Sequence, residues 1–303
     1  MLFRSDGGTT WQSATATVGQ TGWSLSGVTL TGSSTLQVKV VDTAGNNGAV
    51  YSKAYVLDTQ ALAPTVALVT DSGSSSVDKI TTVGTLAVTG TETGALVQYS
   101  SDNVNWATTA PTLAQGSNTV YVRQTDVAGN TSQATAFTFT YDTQAAAPTV
   151  ALATDSGSSS VDKITNVGTL SVSGTEVGAT VQYSANGTDG WSTMAPTLSQ
   201  GGNTVYVRQT DVAGNTSQAT AFTFTYDTHA PSAPAIVAAT DNVAPVTGVV
   251  SDGGTTNDQH LTLSGTAEAH SAVTVSDGGR TLGTTTADGN GVWTFTPDTL
   301  ANH

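Results

Sequence analysis

Cysteine is absent from the 303 residues, so neither disulfides nor thiolate metal sites hold this chain together. Basic residues are scarce: eight Lys and Arg stand against 22 Asp and Glu, for a net charge of −14 and a pI near 4.2. Nucleic acid and anionic membrane surfaces both require a basic footprint, and neither is expected as a partner. No apolar run of about 18 residues occurs, so no membrane insertion by a helix is expected, and no signal-peptide pattern follows Met1. Helix formers are thin, with two Met and only three Glu, and no stretch carries a helical period. The four histidines, His229, His260, His270 and His303, show no ligand or triad spacing, and G-x-S-x-G and phosphate-loop motifs are missing. The chain does not read as an enzyme.

What is present is Thr, Ser, Gly, Val and Ala, the profile of many short strands joined by polar turns. It is also repetitive. Asp126-Val127-Ala128-Gly129-Asn130 is followed by Tyr141-Asp142-Thr143, the same residues return as Asp211 to Asn215 and Tyr226-Asp227-Thr228, and a looser copy runs from Asp42-Thr43-Ala44-Gly45-Asn46 to Asp58-Thr59. Asp126 and Asp211 stand 85 residues apart, Asp42 and Asp126 84 apart. A fixed period of this kind marks an array of one structural unit. Four units result: residues 1–60, 61–144, 145–229 and 230–303, the second and third complete, the first lacking its opening strands and the fourth its closing ones. The sequence therefore reads as an excerpt from a longer array.

Each complete unit is expected to hold about seven strands, two of them short ones between Trp106 and Gln115. In Thr119-Val120-Tyr121-Val122-Arg123 the period of two puts Val120 and Val122 on one face, Tyr121 and Arg123 on the other, and Phe137, Phe139 and Tyr141 share a face in the same way. Turns every 8 to 12 residues or so, without helical periodicity, point to an all-β fold of tandem immunoglobulin-like antiparallel sandwiches, arranged end to end. Trp11, Trp106 and Trp191, equivalent in their units, are expected as core or sheet-end plugs. The linker Asp142-Thr143-Gln144-Ala145-Ala146-Ala147-Pro148 leaves about six residues between units and is stiffer than a Gly/Ser tether.

In such a sandwich the second-to-third and sixth-to-seventh loops lie at the end where the chain enters. Glu92, Asp126 and Asn130 then converge on the linker residue Asp58; Glu176, Asp211 and Asn215 converge on Asp142; and Glu268 is carried towards Asp227. All three glutamates of the chain fall at this one structural position. Carboxylates gathered from two units with no Lys or Arg in the same loops repel one another unless a cation sits between them, and loop-borne hard oxygens suit Ca²⁺. A second group, Asp71 and Asp78, matched by Asp155 and Asp162 and loosely by Asp252 and Asp258, falls in the first-to-second loop at the far end, facing the next unit, with Lys79 and Lys163 adjoining. The competing explanation is that Asp-x-Ala-Gly-Asn is only a turn, and that the Asp71 loop carries Asp as a turn former. Asp288-Gly289-Asn290-Gly291 lacks the twelfth-position Glu of a calcium loop and is expected as a hairpin turn.

The motifs Asp-Val-Ala-Gly-Asn-Thr-Ser, Tyr-Asp-Thr and Asp-Ser-Gly-Ser-Ser-Ser-Val-Asp-Lys-Ile-Thr, with Gly-Thr-Ala-Glu-Ala in the last unit, resemble the bacterial immunoglobulin-like repeats of giant surface adhesins exported by type I secretion. That resemblance implies display on the bacterial cell surface as a calcium-stiffened stalk serving adhesion and biofilm formation. Its partners would be neighbouring repeats of the same chain, with host or surface receptors engaged by other parts of the parent protein. The alternative is a receptor- or glycan-binding module using exposed aromatics such as Trp23 and Trp293.

Overall fold

Valine, threonine and aromatic residues at alternating positions fit a pleated, half-buried surface. The computed structural model describes residues 2–4, 10–16 and 22–298, and every regular element among them is a β-strand, six to each repeat. By internal contacts the chain divides into two compact units, Met1–Ala153 with Thr169–Thr197 and Thr204–Thr223, and Thr154–Gly168 with Leu198–Asn203 and Phe224–His303. This division passes through the third repeat, whereas the strand pattern follows the repeats.

The first repeat has β1 (Leu2–Arg4), β2 (Gln12–Ser13), β3 (Thr15–Ala16), β4 (Trp23–Ser24), β5 (Ser34–Lys39) and β6 (Tyr51–Tyr55), with sheet order β2-β1-β5-β6 and a β3-β4 pair. The second has β7 (Thr65–Leu68), β8 (Ile80–Thr81), β9 (Leu86–Thr89), β10 (Leu96–Ser100), β11 (Gly116–Thr125) and β12 (Thr135–Tyr141). Its larger sheet runs β10-β11-β12-β8, antiparallel except where β8 lies parallel to β12, and β7 pairs with β9 in the smaller sheet. Buried Val120, Val122 and Phe139 from one sheet meet Val66 from the other, with Leu86 and Val88 packed against them. This is a sandwich, with the alternation read from the sequence intact.

Six strands form where seven are expected: the two short ones before Gln115 do not form, and β8, outside that expectation, is added. Between β10 and β11 only the bridge Tyr99↔Ala107 is made. Pro111 offers no N–H and Thr108-Thr109-Ala110 carries no alternation, so the segment has nothing to give a ladder. Instead it drops Leu113 inward against Gly84, where an added Cβ would fall 2.0 Å from Leu113 Cδ1.

The third repeat repeats the plan in β13 (Thr149–Leu152), β14 (Ile164–Thr165), β15 (Leu170–Ser173), β16 (Thr180–Ser184), β17 (Gly201–Thr210) and β18 (Thr220–Tyr226), ordered β14-β18-β17-β16 and β13-β15. Val150, Val205, Val207 and Phe224 are buried at the matching positions. The fourth has β19 (Ala235–Asp241), β20 (Gly248–Val250), β21 (Thr262–Thr266), β22 (Ala272–Asp277), β23 (Arg280–Thr286) and β24 (Val292–Phe295), in sheets β20-β19-β21-β24 and β22-β23. Val273, Val275, Ala287 and Trp293 form its core. Trp293, at 3% exposure, is therefore no candidate for a surface ligand platform; Trp23 is exposed. Asp288 opens a tight turn, its N–H bonded to Val292 O and its Oδ1 accepting from the N–H groups of Asn290 and Val292, but not the expected hairpin: the strands it joins lie in different sheets, β23 paired with β22 and β24 with β21.

Candidate cation sites at the repeat junctions

The Asp-x-Ala-Gly-Asn stretch is a closed turn in every copy. After β11, Asp126 N–H donates to Asn130 O at 3.0 Å and Gly129 N–H to Asp126 O at 3.2 Å, with Gly129 at φ 94 where side chains are disfavoured. Asp126 Oδ1 accepts the Asn130 N–H and Oδ2 the Asn130 amide, each at 2.8 Å. The Asn130 amide foremost, with backbone N–H groups of the turn, holds the Asp126 carboxyl below its ordinary range. Asp42 makes the same turn with Asn46 and is likewise lowered, yet stays exposed. The turn reading is thus right as far as it goes. It does not explain why Asp126 and Asp211 are buried, at 7% and 5% exposure.

What covers them is the preceding linker and the loop after β9 or β15. Oxygens of Asp58, Glu92 and Asp126 all lie within 4.8 Å of one another, and so do those of Asp142, Glu176 and Asp211. Asn130 donates to Asp58 O at 3.1 Å and Asn215 to Asp142 O at 3.0 Å, so each asparagine bridges turn and linker, leaving its Oδ1 as the atom able to act as a ligand. Glu92 Oε1 accepts the Leu62 N–H at 2.8 Å and Glu176 Oε1 the Ala146 N–H at 2.7 Å.

Two glutamines that the sequence reading passed over build this arrangement. Gln124, with no exposed surface, accepts the Glu92 N–H at 2.8 Å and donates to Leu62 O at 2.6 Å and Gly90 O at 3.4 Å. Gln209 repeats this with Glu176, Ala146 and Gly174. At the other end of β11, Gln115 donates to Asp142 and accepts the Thr143 N–H. The signal was available: Val120, Val122 and Gln124 share one face by their period of two.

The nearby basic residues are engaged elsewhere. Arg123 lies 4.0 Å from the Trp106 ring centre and donates Nε to Gln98 at 3.1 Å; Arg208 does the same with Trp191 and Gln182. Arg4 and Lys39 flank Trp11. These tryptophans, expected as core or sheet-end plugs, are not in the core; they are half-buried partners of cations on the outward side of the sheet, because Arg123 alternates away from the buried Val120 and Val122.

The other expected sites look different. Asp227 is held by Gln200 and accepts the His229 N–H at 3.0 Å, Glu268 is exposed, and neither belongs to a three-carboxylate group among the described residues. Asp71 Oδ2 accepts the Lys79 N–H and Asp78 Oδ1 the Ile80 N–H; Asp155 and Asp162 do the same with Lys163 and Ile164. The Lys79 ammonium sits 5.1 Å from the Phe137 ring centre. Oδ1 of Asp71 and of Asp155 is buried without a hydrogen-bond partner. In the fourth repeat the counterpart of Asp71 is Asp241, not Asp252. Thr240-Asp241 repeats Thr70-Asp71, and Asp241 is buried with Oδ1 accepting the Val243 N–H and Oδ2 the Thr256 hydroxyl. Asp258, also buried, accepts the N–H groups of Asn242 and His260, which hold its carboxyl low.

A family model described as bacterial Ig-like domain matches residues 60–143, 144–228 and 233–302, and a second of the same description matches 7–59. The chain belongs to the bacterial Ig-like domain family. Such domains are structural or surface-associated repeat modules, generally found in surface or extracellular proteins and typically non-catalytic. A search of curated proteins gave no match. No helix among the described residues is long and apolar enough to cross a membrane.

Proposed function

We propose that this bacterial Ig-like array is a spacer segment of a large, secreted cell-surface adhesin, stiffened by calcium at the junctions between repeats and serving adhesion and biofilm formation. The observation that carries the reading is the pair of three-carboxylate groups, Asp58–Glu92–Asp126 and Asp142–Glu176–Asp211, each assembled from a linker and two loops of the repeat it enters. The donor set fits the ion. All the side-chain oxygens are hard, they come from loops, and the basic side chains of β5, β11 and β17 face Trp11, Trp106 and Trp191.

Gln124 and Gln209 hold the glutamate backbone in place, while Asn130 and Asn215 fasten the turn to the linker. Bound calcium would supply the positive charge that lets three carboxylates share this space. With extracellular affinities of order 10⁻⁴ M and calcium near 10 mM, each occupied site would stabilise the ordered junction by roughly 2.7 kcal/mol. Small-angle scattering in calcium and in chelator tests the reading. Greater bending and a lower melting temperature in chelator support it, and superimposable profiles refute it.

A further inference from the structure

The two copies of Asp-Val-Ala-Gly-Asn-Thr-Ser have the same sequence but not the same surroundings. Val127 is 79% exposed and Ala128 is exposed, whereas Val212 is half-buried and Ala213 has 0% exposure. The cover over the second copy is the loop after β7. Ser72 Oγ donates to Ala213 O at 2.9 Å, and the Ser74 N–H donates to Val212 O at 3.0 Å, contacts that bridge 141 and 138 residues of chain.

Between the two serines Gly73 lies flat on the turn. A Cβ there would fall 2.0 Å from Val212 O and 2.6 Å from the Ala213 carbonyl carbon, and a Cβ on Gly214 would fall 3.2 Å from Gly73 Cα. Backbone meets backbone with no side chain between. Both glycines have positive φ, 96 and 98, so their conformation also resists substitution. In the third repeat Ser156-Gly157-Ser158 keeps the form, with Gly157 at φ 106, but Ser156 Oγ turns to Asn166 Oδ1 and a Cβ on Gly157 would meet only Ile164 O, at 4.0 Å. The loop therefore holds its shape without the contact. Gly129, the counterpart of Gly214, has nothing within 4 Å of such a Cβ.

We propose that Ser72-Gly73-Ser74 is a metal-independent interlock that seats the Asp211–Asn215 turn and fixes the second repeat to the third. It binds the backbone of that turn, while the Asp211 carboxylate faces Asp142 and Glu176; the two attachments are chemically separate. Removal of cations then leaves the junction between the second and third repeats aligned, and bending falls at the junction between the first and second.

The test uses the full chain, which has no native cysteine, labelled with spin probes at the equivalent exposed positions Ser101→Cys and Ala185→Cys and measured in chelator. The interlock predicts a narrow interprobe distance distribution in the parent chain, retained in Gly157→Val and lost in Gly73→Val. Gly157→Val carries the same backbone strain without the contact, so equal broadening in both variants overturns the proposal. So does a narrow distribution in Gly73→Val, and so does a parent chain that is already broad in chelator, a result that requires no variant to fold.

Discussion

The carboxamide oxygen of Gln124, a side chain with no solvent exposure, accepts the backbone N–H of Glu92 at 2.8 Å. One buried polar group thus sets the loop that carries the junction glutamate, and its amide secures the linker through Leu62 O at 2.6 Å. Gln124→Leu keeps the volume but leaves these backbone groups without partners. A loss of roughly 2–5 kcal/mol in denaturant unfolding is expected, with the Gln209→Leu variant matching it. A loss below about 0.5 kcal/mol, the range of ordinary surface changes, would show that Gln124 does not hold the loop.

Acid should act through the turn aspartates. The folded-state pKa of Asp126 lies below its ordinary, unfolded value because the Asn130 amide, foremost, bonds its ionised form. Its contribution is therefore full above that unfolded value and declines as pH falls towards the lower folded one. Asn130→Ala removes the main cause, raises the folded pKa and moves the acid-unfolding midpoint upward. Tryptophan fluorescence during acid titration in chelator checks the shift; an unmoved midpoint would contradict it.

The pairing of Arg123 with Trp106 gives a third expectation. Trp106→Ala and Arg123→Ala should each destabilise the second repeat, with a double-mutant coupling of about 0.5–1 kcal/mol for a partly exposed cation–aromatic pair. Zero coupling would mean that the two side chains only happen to lie together.

Much of this is legible in the sequence alone. The 84- and 85-residue spacings carry Glu92, Asp126 and Asp58 to one end of a sandwich, and the alternation in β11 and β12 places Val120, Val122 and Phe139 inside. Whether Trp106 belongs to the core was not legible, because it sits in an irregular connection where no period says which face a side chain takes. The extra strands expected before Gln115 failed for lack of alternation and because of Pro111. Trp293 is core, as isolated aromatics at strand positions usually are, and the alternation of Val292, Trp293, Thr294 and Phe295 points the same way. The seating of Gly73 against Val212 was not legible at all. It depends on how two repeats meet, and a Ser-Gly-Ser loop looks the same whether or not something rests on it, as Ser156-Gly157-Ser158 demonstrates.

Calorimetric titration of the full chain with calcium addresses the central claim most directly. The account predicts binding at the two three-carboxylate groups, with Glu92→Gln abolishing one of them, Glu176→Gln the other, and the double variant both. Calcium heats that are absent from the parent chain, or that survive unchanged in the double variant, would contradict it.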